Sequence, residues 1–291
     1  MPGEREYEIV TDRGPAALVL DRHQLATFFV LTFAISWTLW LGLAAAELPI
    51  TTTTGAVLNV VAIAGPSIAA VLLTIRLGQL RQLLAGFSLS RLSARWSAVA
   101  LGLPLVLMGI AIGVAVAVLG APNPQLAGGL VSVLLVEFVR ILLVGGPLGE
   151  ELGWRGFALP RLQQRRTALT SSVLLGLVWG LWHIPLYFVP GTGQYELLRA
   201  GTSPAFAIGG FVGWTIGLSV LFTWLFNQTK GSLIVVILFH TAVNLAAFLP
   251  AAVGSGGAAS LLNVLLTWIA AIVVLTALRP DAPRTPSSPQ S

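Results

Sequence analysis

The chain has 291 residues, 56% of them hydrophobic and 9% charged, with a mean hydropathy of +0.87 and a formal net charge of +5. A water-soluble domain carries about a quarter charged residues, so an ordinary soluble fold is excluded. The lack of cysteine removes disulfides, iron–sulfur ligation and thiol catalysis.

In chain order, residues 1–23 mix acids and bases without a compact basic region, so no cleavable signal peptide is expected. Apolar runs of about 20 residues, enough for a helix to cross the hydrocarbon core, then recur along the whole length. Eight are read: 24–46, 55–75, 97–119, 130–148, 171–189, 206–226, 232–249 and 258–278. Helix is the only open form, because lipid offers no partner for a bare backbone group. An all-α integral membrane protein of about eight transmembrane helices in one bundle follows. The stretch 279–291 is rich in Pro and Ser and is expected to be a disordered tail.

Loop charges support that count. Arg5, Arg13 and Arg22 precede the first span; Arg76, Arg81, Arg91 and Arg95 follow the second. Arg155, Arg161, Arg165 and Arg166 follow the fourth, Lys230 the sixth, and Arg279 and Arg284 the eighth. Only Arg199 lies on the other side, and Arg140 lies within a span. The positive-inside rule makes the basic side cytoplasmic, with both termini there, in a cell (inner or plasma) membrane. Anionic lipid head groups suit this distribution better than nucleic acid. Two segments, 76–96 and 157–170, interleave Leu or Phe with Arg, as in segments lying on the inner leaflet or in ordinary basic cytoplasmic loops. The pairs Gly109/Gly113 and Gly209/Gly213 have the spacing of close helix packing.

An ionisable residue within a span needs a reason. Glu137 and Arg140, three apart, are expected to pair inside the bundle in a structural role. The break at Gly145-Gly146-Pro147 is expected to kink the fourth span. Beyond it, Glu151 and Arg155 have the favourable acid-then-base spacing of four, whereas Glu150 has no partner at helical spacing. The plainer alternative is a charge cluster at a helix end in the head-group zone. His183 shares a face with Trp179, and His240 shares one with Asn244. Three helices offering Glu, His, and His with Asn suit water activation, proton shuttling or metal ligation.

No Asp lies in any span, which removes aspartyl intramembrane proteolysis; His-Glu-x-x-His and Gly-x-Ser-x-Gly are also absent. What remains, Glu150-Glu151-x-x-x-Arg155, an aromatic four before His183, and His240-x-x-x-Asn244, resembles the CPBP intramembrane proteases. That family comprises the type II CAAX prenyl endopeptidases and the bacterial Abi proteins. The resemblance covers about 130–249, and one departure is Trp179 where Phe is common. It implies a catalytic core at 130–249, accessory helices at 24–129 and a last helix at 250–278. It also implies that Glu150 activates water, His183 orients that water or shares its proton, and His240 and Asn244 stabilise the oxyanion at a cavity open toward the cytoplasmic side. Glu151 and Arg155 would be support. A metal-free mechanism is preferred, with zinc held by Glu150, His183 and His240 the alternative. The substrate would be a membrane-associated protein or peptide. Competing readings are a non-catalytic scaffold or immunity-type protein, and a proton-coupled transporter using the same polar cluster.

Overall fold

The computed structural model describes residues 23–121, 129–254 and 257–277. The N-terminal stretch 1–22 and the tail 279–291, with Arg5, Arg13, Arg22, Arg279 and Arg284, lie outside the described residues. The helices are α1 (Gln24–Ala45), α2 (Thr53–Ile63), α3 (Gly65–Arg76), the short α4 (Leu80–Leu84), α5 (Ala94–Leu119), α6 (Leu130–Val144), α7 (Pro147–Glu151), α8 (Leu159–Gln163), α9 (Ala168–Trp182), α10 (Gly193–Arg199), α11 (Pro204–Gln228), α12 (Leu233–Ala252) and α13 (Gly257–Ala277). A π-helical turn, Leu152–Ala158, joins α7 to α8. Thr52, Thr167, Ser203 and Ser232 start α2, α9, α11 and α12 by accepting a backbone N–H three residues on.

Seven helical stretches among the described residues are long and apolar enough to cross a membrane, and α2 with α3 makes an eighth bent by 47°. The protein is a multi-pass helical membrane protein. The bend in the second span has a local cause. Pro66 has no N–H to give the carbonyl of Ala62, and Ser36 Oγ on α1 donates to that carbonyl instead at 2.7 Å.

The fourth span is broken as well. After Val144, Gly145 leaves the helix and Gly146 takes φ +119°, a conformation that L side chains rarely adopt. Pro147 then starts α7. On one face of this restart, a Cβ at Gly149 would meet Ala64 Cα at 3.1 Å, and one at Gly153 would meet the Pro66 carbonyl carbon at 2.5 Å. The bend of the second span therefore lies against a glycine face of the fourth, which turns Glu150 and Glu151 inward.

Several sequence expectations are corrected. Nothing lies within 4 Å of a Cβ built on Gly109, Gly113, Gly209 or Gly213, so these pairs mediate no close packing. Close approach occurs at Gly176 and Gly180, where a Cβ would meet Ile216 Cα at 2.6 Å and Val212 Cα at 2.9 Å. Sequence spacing cannot say which helix face meets a neighbour. Glu137 and Arg140 do pair, at 2.6 Å, but the Arg140 side chain is 56% exposed, so the pair sits on the outside of α6. Phe157, Leu159 and Leu162 are buried, and Phe157 stacks on Phe28 at 5.0 Å. The first part of 157–170 is therefore core.

Hydrogen bonds identify the two ends of the bundle. Arg161 after the fourth span reaches Gln24 at the start of the first and Gln79 after the second. Arg91 reaches Gly231 between the sixth and seventh. This is the arginine-rich end. At the other end, Ile50 N–H donates to the Pro190 carbonyl.

Two measurements test this packing. Gly176→Val should lower the melting temperature in detergent, by overpacking worth about 1–3 kcal/mol, and Gly109→Val should leave it unchanged. In this cysteine-free chain, single cysteines at Gln194 and Gln82 should react with an impermeant maleimide from opposite sides of the membrane; reaction from one side would contradict the two-ended arrangement.

Candidate active site

The doublet Glu150-Glu151 is buried on both members. A buried carboxylate must find hydrogen-bond donors or positive charge, and each finds a different set. Adjacent helical residues point about 100° apart, so the two acids look into different parts of the bundle.

Glu151 carries the expected pair with Arg155, Nη1 to Oε1 at 2.8 Å, with both side chains fully buried. The same oxygen lies 2.7 Å from His240 Nδ1. The Arg155 guanidinium lies 3.8 Å from the Phe222 ring centroid and 4.8 Å from that of Trp179, cation–π contacts that suit a desolvated cation. His240, grouped with Asn244 by sequence, is thus tied first to Glu151, and the bond links the fourth span to the seventh.

Glu150 does have a partner at helical spacing, one that a search for charges overlooks. Trp154 Nε1 donates to its Oε2 at 3.3 Å, and Trp179 Nε1 on α9 donates to the same oxygen at 2.6 Å. Oε1 lies beside Gly146, where a Cβ would stand 2.7 Å from it and 3.7 Å from Asn244 Nδ2. One carboxylate oxygen is therefore clamped by two indoles, and the other faces a spot that only glycine leaves clear.

His183 follows the last residue of α9, just before Pro185 interrupts the helix. Its Nδ1 lies 2.8 Å from the Trp179 carbonyl. A carbonyl can only accept, so Nδ1 carries a proton and Nε2 is left for other work. Asn244 Nδ2 donates to the Gly145 carbonyl at 3.1 Å, occupying an acceptor that the helix break leaves open.

Glu150, His183, His240 and Asn244 line one cavity of about 290 Å³, with Trp40, Trp179, Gln194 and Phe211 among its other walls. It has room for several waters. The predicted residues are thus brought together. Trp154, Gly146 and Gln194 are additions, with the four-residue step from Glu150 the available signal for Trp154, and Trp179, placed by sequence only beside His183, also holds Glu150. The side of approach differs from the sequence expectation. Gln194, Leu186 and Phe211 belong to the connection between spans five and six and its flanks, so the cavity lies toward the end opposite the arginines.

The zinc alternative gains no support from these donors. Both histidines have Nδ1 engaged, as metal ligands commonly do. Yet among the described residues no three His, Cys, Asp or Glu side chains form a group that could hold a metal ion.

Breaking the Glu151 network tests its role. Arg155→Leu leaves a buried carboxylate beside a lone imidazole, and should cost about 3–5 kcal/mol of stability, read as early unfolding in detergent.

Residues 131–246 match the family described as Type II CAAX prenyl endopeptidase Rce1-like. Over 107 residues the chain is 36% identical to CAAX prenyl protease 2 of Methanococcus maripaludis. The aligned stretch covers 37% of this chain and 38% of that protein, well under two thirds of either.

Proposed function

We propose that the chain is a CPBP-type protein, on the match of residues 131–246 to the Rce1-like type II CAAX prenyl endopeptidases, and that it is an intramembrane endopeptidase in which Glu150 activates water. The observation that supports this most is the division of labour within one carboxylate. Oε2 is held by the Trp154 and Trp179 indoles, and Oε1 stands beside Gly146.

In this reading a water at Oε1 gives its proton to Glu150 as its oxygen attacks the scissile carbonyl carbon. His183, through Nε2, orients that water. The C–N bond then breaks, and the proton held by Glu150 passes to the leaving amine. Asn244 spends one amide hydrogen on Gly145 and has a second for the oxyanion. His240 can donate to the oxyanion through Nε2 only if the ring carries both protons, and Glu151 at Nδ1 supplies the counter-charge for that form.

The substrate proposed is a membrane-tethered peptide with an apolar attachment. An apolar groove of about 870 Å³ between α11 and α13 shares Gln194, Phe211 and Trp214 with the cavity. A lipid-like chain lying there would bring its peptide to Glu150, so a prenylated peptide, after the relative's name, is the first substrate to try. Both termini are proposed to face the cytoplasm with the arginine-rich end. Approach to the site would then be from the other leaflet, or sideways through the groove.

The test is Glu150→Gln in liposomes with a prenylated reporter peptide. Cleavage should fall by about 10²–10⁴-fold, with the melting temperature unchanged or raised. Wild-type cleavage by the variant would refute the assignment. A large drop in melting temperature would instead make Glu150 a structural residue, as a scaffold requires.

A further inference from the structure

A second polar cavity, of about 360 Å³, lies at the arginine-rich end, away from Glu150. Its walls come from the start of α1, the segment after α3, the π turn with α8, and the junction of α11 with α12. Gln24, Gln79, Gln82, Gln164, Arg91 and Arg161 supply its polar groups.

Arg161 is held in place with unusual completeness for a side chain near a membrane surface. Nε donates to Gln24 at 2.7 Å, Nη2 to Gln79 at 2.6 Å and Nη1 to the Phe157 carbonyl at 3.0 Å. Its guanidinium carbon also lies 3.6 Å from the Phe157 ring centroid. These contacts orient the cation but do not neutralise it, and each terminal nitrogen keeps a second hydrogen. Arg91 is likewise held by a neutral acceptor, the Gly231 carbonyl at 3.3 Å. Neither arginine meets a carboxylate among the described residues, whose ion pairs are Glu137–Arg140, Glu151–Arg155 and Glu151–His240. The segments that carry both arginines are themselves acid-free: no Asp or Glu occurs between Glu47 and Glu137, nor between Glu151 and Glu196.

Two guanidinium groups facing a roomy polar cavity, with no carboxylate against either among the described residues, make an anion site. Guanidinium forks match phosphate oxygens. The glutamine amides can both donate and accept, which suits the ester and hydroxyl oxygens around a phosphate. The location adds to this, since every wall is a span end, and Leu84 and Leu89 nearby are exposed as acyl-chain neighbours would be. We infer that this cavity binds a phosphate group, that of an anionic phospholipid head group at the membrane surface. Gly156 of the π turn forms part of the wall, so the bound phosphate braces the segment that carries Glu150 and Glu151. The inference does not depend on the protein being a protease.

The experiment uses the full chain, purified and stripped of lipid in detergent. Its melting temperature is followed on adding phosphatidylglycerol, phosphatidylcholine or inorganic phosphate, and native mass spectrometry counts retained lipids. Phosphatidylglycerol should raise the melting temperature and be retained, and phosphatidylcholine should do neither. Arg91→Gln should weaken phosphatidylglycerol binding about tenfold, the scale of one charge-assisted hydrogen bond. Gln82→Trp, which fills the cavity from an exposed position, should weaken it too, and Arg166→Gln outside the cavity should not. A full effect from inorganic phosphate alone, abolished by the same two variants, supports the site and makes free phosphate the ligand. No shift with either ligand, or equal shifts in all variants, overturns the inference.

Discussion

Two adjacent carboxylates buried in a helical bundle are tolerable only if each is met by its own donors, and much of the architecture serves that requirement. Glu151 is balanced by Arg155 and His240 on a single oxygen, with the guanidinium over the rings of Phe222 and Trp179. Glu150 receives no cation, only two indole N–H groups on one oxygen. Trp179 serves both arrangements, since its ring borders Arg155 and its nitrogen holds Glu150. It also stands beside both imidazoles, 5.9 Å from His183 and 5.5 Å from His240. The indole supplies a donor that a phenylalanine at this position would lack.

The breaks in the second and fourth spans serve the same end. Each leaves a backbone carbonyl without its helical partner, and each is answered by a side chain from another helix: Ser36 for Ala62, and Asn244 for Gly145. Inside a membrane such a carbonyl has no water to turn to, so the breaks persist only because those helices are in place. The bend of one span then lies against the glycine face of the other. The π turn that follows Glu151 belongs to the same distortion, in keeping with the tendency of such turns to occur at functional sites.

The two ends of the bundle have opposite character. One is rich in arginine and holds a cavity whose two arginines meet no carboxylate among the described residues. The other leads to the cavity of Glu150 and the apolar groove beside it. The fourth span contributes to both, with Glu150 in one cavity and Gly156 in the other. A ligand at either site therefore touches the same distorted segment.

The helical spans, their number and the arginine-rich end were legible in the sequence, because crossing lipid demands long apolar runs and basic loops alternate with each crossing. So was the set Glu150, His183, His240 and Asn244, because ionisable groups within a span are few enough to stand out. The Glu151–Arg155 pair followed from helical spacing alone. The sequence could not show which glycines meet a neighbouring backbone, since Gly109 and Gly176 look alike until the helices are packed. Nor could it show that His240 turns to Glu151, that Glu150 rests on two tryptophans, or that the cavity lies toward the end opposite the arginine-rich one. Local spacing determines which side chains share a helix face. Which faces meet, and therefore which donor reaches which acid, is decided only when separate helices pack.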